Sequence, residues 1–84
     1  MRQLLNNYKA SLNRVNELEK IYETEPDNET IERAYDEAYN KNFNDYVELA
    51  NAIVKATDNK IDFNTAKTMI VTRLETLEAI IELA

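Results

Sequence analysis

Residues 28–46 read NETIERAYDEAYNKNFNDY, and this stretch decides the fold class. Within it Glu29, Arg33, Glu37, Lys41 and Asp45 alternate in sign at every fourth position. Residues four apart are neighbours on a helix surface, where each oppositely charged pair adds about 0.2–0.5 kcal/mol. In a strand the same residues would also share one side, so alternation alone does not distinguish the two. The second pattern does. Ile31, Tyr35, Ala38, Asn42, Tyr46, Leu49, Ile53 and Ala56 follow at steps of three and four, which is the period of an amphipathic helix. A charged face opposite an apolar stripe predicts a helix over 29–56, with Asp27 or Asn28 as its N-cap. The charge ladder carries that helix through Lys41-Asn42-Phe43-Asn44, where asparagine propensity alone would favour a break.

Upstream, Leu4, Leu5, Tyr8, Leu12, Val15, Leu18 and Tyr22 make one stripe and predict a helix over 3–23. It stops at Glu25-Pro26, because the residue before proline is pushed out of the α region. Downstream, residues 57–61 have loop composition. Asp62 or Asn64 then caps a third helix over 63–83, along which Phe63, Ala66, Ile70, Leu74, Leu77 and Ile81 recur. Three amphipathic helices with short connections predict an all-α fold, an antiparallel three-helix bundle with a longer middle helix. The chain forms a single helical domain on this reading. A helical hairpin that dimerises is the alternative.

Composition removes several classes. An 84-residue chain buries a modest core. With no cysteine it has no disulfide, and with no histidine either it has no tetrahedral zinc site. The absence of glycine disfavours tight β-hairpins and glycine-built phosphate loops. No apolar run approaches a membrane span. The N-terminus lacks the basic-then-apolar block of a signal peptide. A cytoplasmic protein without cofactor, metal or membrane association is expected.

Little catalytic chemistry is visible. Without Cys or His the usual nucleophile–base pairs cannot form, and Ser11 is the one serine. The run Asp58-Asn59-Lys60-Ile61-Asp62-Phe63 has the flavour of a calcium loop, but an EF-hand needs glycine sixth and glutamate twelfth. Phe63 and Met69 stand there. Glu75, Glu78 and Glu82 share a face, yet no Glu-x-x-His accompanies them, so a diiron bundle is unsupported. No enzymatic activity is expected.

Charge is the most informative feature. The net charge is −6, which disfavours direct nucleic-acid binding. Residues 1–16 carry three basic side chains and no acid, whereas residues 17–37 carry nine acids and two bases. Folded up, down and up, the chain would bring Glu75, Glu78 and Glu82 to the same end as Glu19, Glu23 and Glu25. That end would then hold twelve acids against Lys20, Arg33 and Arg73, a net −9, with +3 at the other. A surface of this kind either steers basic partners or is a solvated face that keeps a small protein soluble. Tyr39 and Phe43 fall off the main stripe of the middle helix and are candidate contact residues, since tyrosine is frequent at interface hot spots. Tyr35 and Tyr46 read instead as core edge. The expected function is a non-catalytic interaction module whose partner is another, basic protein. The alternatives are an acidic DNA-mimic or antitoxin-like inhibitor of a nucleic-acid-binding protein, and a structural homo-oligomer.

The opening Met1-Arg2-Gln3-Leu4-Leu5, the segment Asn59–Lys67 (NKIDFNTAK) and the leucine-rich close resemble the transposon-encoded TTRAP family of conjugative elements in low-GC Gram-positive bacteria. Eleven asparagines beside four arginines are the bias that AT-rich codons produce. The resemblance implies a mobile-element accessory protein. It assigns no activity and no site residue.

Overall fold

The first helix, α1, runs Arg2–Thr24. Leu5, Tyr8, Ser11, Val15 and Leu18 are its buried positions. It ends at Glu25, whose backbone leaves the helical region at φ −134° and ψ 62°, as the following Pro26 requires. A computed structural model of the chain describes residues 1–83, apart from the side chains of Ile80, Glu82 and Leu83.

The second helix, α2, runs Glu29–Ala56. Of the two cap candidates, Asn28 does the capping. Its side-chain oxygen accepts from the amides of Thr30 at 3.0 Å and Ile31 at 3.3 Å, and Glu29 and Glu32 lie in the first turn where the helix dipole favours acids. Asn28→Ala is expected to cost about 1 kcal/mol. In a domain of this size that is a melting temperature lower by about 4–8 °C, read by far-ultraviolet circular dichroism.

At its far end α2 closes without glycine. Asp58 and Asn59 adopt positive φ, 52° and 65°, a region that Asp and Asn tolerate better than other residues with a Cβ. The Asn59 amide donates to Val54 O and the Asp58 amide to Lys55 O, at 3.0 and 3.2 Å. This is the Schellman pairing that satisfies the last helix carbonyls. Asp62 then caps α3 (Phe63–Thr72), accepting from the Thr65 amide at 2.7 Å. That bond holds the Asp62 carboxyl below the usual carboxylate range.

The expected helix over 63–83 is not continuous. It breaks at Arg73, φ −135° and ψ 41°, and resumes as α4 (Leu74–Leu83). Two causes are visible. The hydroxyls of Thr68 and Thr72 donate to the carbonyls four residues earlier, at 3.0 and 2.7 Å, and such back-bonding bends helices. Ile70, Val71 and Thr72 are also three consecutive β-branched residues, with restricted χ1 in a helix. The larger reason is packing. On a straight helix Ile81 would lie about 18 Å beyond Met69. Instead both line one apolar cavity of about 370 Å³, together with Met1, Ile53, Ile61 and Leu77. The chain has therefore turned back at Arg73.

The architecture is all-helical, with four helices among the described residues. α1 and α2 form a long antiparallel hairpin, and the molecule measures 46 × 20 × 19 Å. At one end α3 and α4 fill out the hairpin. Leu5, Tyr8, Leu49, Ala50, Ile53, Ala66, Ile70 and Leu77 cluster there as the core. At the other end the described residues come from α1 and α2: Val15 and Leu18 are buried, Ile31 and Ala38 half-buried, and Tyr22 lies against Tyr35 at 5.9 Å. No described helix is long and apolar enough to cross a membrane.

Asp45 departs from its expected place on the charged face. It is buried at 7% exposure and bonded to Lys41 Nζ at 3.0 Å. A step of four residues overshoots a full helical turn by about 40°. Over Glu29, Arg33, Glu37, Lys41 and Asp45 the ladder winds around the helix until its last member reaches the α1 side.

Candidate interaction surface

The structure separates the acidic candidates into two groups. Glu19, Glu23 and Glu25 are exposed at the two-helix end. Glu75 and Glu78 are not there. Glu78 pairs with Lys9 at 2.8 Å, and Lys9 lies fourteen residues, about 21 Å along α1, before Glu23. The fold-back at Arg73 carries α4 over the basic N-terminal part of α1, where Glu75 is exposed and Glu78 half-buried. The side chain of Glu82 lies outside the described residues. The expected −9 and +3 ends are thereby corrected. The acidic end is residues 17–37, nine acids against two bases, a net −7. The rest of the chain carries +1; its Glu78 pairs with Lys9, and its Arg14 reaches Glu17 at 3.7 Å.

The aromatic candidates lie at the base of this end. Tyr39 and Phe43 are each 54% exposed. They belong to a ladder of rings along α2: Tyr22 to Tyr35 at 5.9 Å, Tyr35 to Tyr39 at 6.4 Å, Phe43 to Tyr46 at 6.4 Å, and Tyr46 to Tyr8 at 6.1 Å. Tyr35 and Tyr46 are half-buried against α1 and α3. Burial raises the Tyr8 and Tyr46 phenols above their ordinary value, with the neighbouring Tyr46 phenol adding to the effect at Tyr8. A shallow groove of about 280 Å³ opens between Tyr8, Tyr39, Asn42, Phe43, Tyr46 and Val71. Val71, at the end of α3, is 66% exposed and escaped notice in the sequence.

Beneath the groove the polar groups are already paired. Asn42 donates to Ser11 Oγ at 3.1 Å and to Tyr8 O at 3.4 Å, and Ser11 donates to Tyr8 O at 3.1 Å. The serine hydroxyl thus serves as a link in the α1–α2 seam. Among the described residues no group of three or more acidic side chains is placed to hold a metal ion. The groove offers ring edges and faces, an asparagine and a valine, which is the equipment of a protein contact.

No family model matches the chain, and no curated protein or solved structure does. The resemblance to the TTRAP family therefore stands on the quoted residues alone.

Proposed function

We propose that this chain is a non-catalytic interaction module that binds another protein, one presenting a basic surface, through its two-helix end. The observation that carries the reading is the coincidence of a −7 charge over residues 17–37 with a bare helical projection and two half-exposed aromatic rings at its base. Glu23 and Glu25, at the C-terminus of α1, oppose the helix dipole, so local stability does not account for them. Attraction to a cationic partner does. Such a field raises association rates and weakens with salt. In the mobile-element setting that the resemblance implies, the module would modulate a transfer or regulatory protein. An inhibitor occupying a nucleic-acid channel is the extreme form, with the steepest salt dependence.

The experiment is a tagged pull-down from source cells, with the parent chain beside a Glu19→Lys/Glu23→Lys variant, washed at rising salt. The expected result is a basic protein retained by the parent at low salt and absent from the variant. Equal retention by the two chains, or recovery of the bait alone, would overturn the reading.

A further inference from the structure

The position of a third helix alongside the α1–α2 hairpin is filled over only part of its length. α3 occupies it as far as Val71, which meets Phe43 and Tyr39 in the groove. The chain then turns back at Arg73. The floor of the vacant part can be read by heptad steps, since residues seven apart share a helix face. Tyr46 faces α3 and, with Asn64, Lys67, Thr68, Val71 and Thr72, lines the depression beside it. Seven residues before Tyr46 is Tyr39, and seven before that is Glu32. Ala50, in the core, steps back to Phe43 and Asp36. On α1, Leu12 packs at the edge of the core and steps forward to Glu19; Lys9, which meets α4, steps forward through Asn16 to Glu23. The vacant position therefore has Tyr39 and Phe43 as the apolar part of its floor on α2, Glu32 and Asp36 continuing that face one heptad on, and Glu19 and Glu23 on the α1 side.

We propose that this position receives an amphipathic helix of the partner, with apolar residues laid on Tyr39, Phe43 and Val71, and Lys or Arg meeting Glu32 and Asp36 on α2 and Glu19 and Glu23 on α1. This rests on the reading of the chain as a binder of basic proteins, and it specifies the shape that partner presents. From Phe43 back to Glu29 the slot is about 21 Å long, the length of a helix of about 15 residues. Helix-in-groove recognition needs an apolar anchor row of this kind. The charge decides between occupants. A second copy would bring its own −7 end against the four carboxylates of the slot, and like charges across an interface oppose docking. A basic helix would neutralise them, and completing a three-helix cross-section would cover the exposed rings.

The test uses the full chain and two synthetic peptides of identical composition, followed by fluorescence anisotropy. In the first, leucines repeat at helical spacing between lysine flanks. In the second, the same residues are scrambled so that no stripe forms. The expected result is binding of the first with the second weaker by about tenfold or more, and a loss of similar size for the first peptide on Tyr39→Ala/Phe43→Ala. Both rings are half-exposed, so an unchanged melting curve of the variant certifies its fold. Equal affinity for the two peptides, or an unaffected variant, would overturn the groove. The wider reading would survive that result if the pull-down partner still depended on Glu19 and Glu23. A chain that is dimeric by light scattering, and monomeric as Tyr39→Ala/Phe43→Ala, would make a second copy the occupant and overturn the proposal. If glutamate flanks served as well as lysine flanks, both readings would fall.

Discussion

Leu49→Ala is expected to lower the melting temperature by about 10–25 °C, the largest stability loss of any single truncation here. Leu49 is fully buried, at 0% exposure, in the cluster where α1, α2, α3 and α4 come together. Removing a buried leucine side chain costs about 2–5 kcal/mol, since the lost transfer energy adds to that of the cavity left behind. A domain of this length has about 4–12 kcal/mol in total. The substitution therefore removes a large fraction of the stability, with no disulfide or second core in reserve. Thermal and urea unfolding followed by circular dichroism measure it. Val15→Ala provides the contrast. Val15 is also buried, but it lies in the two-helix part with fewer atoms to lose, so a smaller drop is expected. If Leu49→Ala and Val15→Ala shifted the midpoint equally, the core would not be concentrated at the four-helix end.

How much of this was legible in the sequence depends on which force set each feature. The helical character of 29–56 was legible because it is local: a stripe and a charge ladder with a helical period, and a capping residue in front. The stop at Glu25 was legible for the same reason, being a steric property of the Pro26 ring. The break at Arg73 was not. Arg73 and Leu74 are good helix formers, no glycine or proline marks the site, and the stripe from Phe63 to Ile81 keeps its period straight through it. What bends the chain there is tertiary, the burial of Leu77 in the core, and single-sequence periodicity does not register it. The threonines that back-bond and the β-branched run Ile70-Val71-Thr72 were the local hints. That kink also moved Glu75 and Glu78 from the expected acidic end to the side of Lys9. Tyr39 and Phe43 could be singled out in advance because lying off the stripe is a local property. Val71 could not, because its exposure follows from where α3 stops.

Two charge-reversal pairs separate the acidic groups by function. Glu23→Lys/Asp36→Lys is expected to weaken the basic stripe peptide by roughly 30-fold at low salt, whereas Glu75→Lys/Glu78→Lys leaves its affinity within about twofold. The arithmetic follows from ordinary exposed pairs. Each contributes about 0.2–1 kcal/mol, and reversing one partner removes that attraction and adds a repulsion of similar size. Two reversals in the slot thus change binding by about 1–4 kcal/mol, and the middle of that range is a factor of about 30 to 100. Both variants raise the net charge of the chain by the same amount, from −6 to −2, so a field acting on the whole molecule would weaken binding equally in the two. Position alone distinguishes them: Glu23 and Asp36 line the vacant slot, and Glu78 is engaged with Lys9 at the opposite end. The difference should shrink as salt rises and the Debye length falls below the width of the slot. If Glu75→Lys/Glu78→Lys weakened the peptide as much as Glu23→Lys/Asp36→Lys, the acidity would act as a diffuse field and not as the lining of a binding groove.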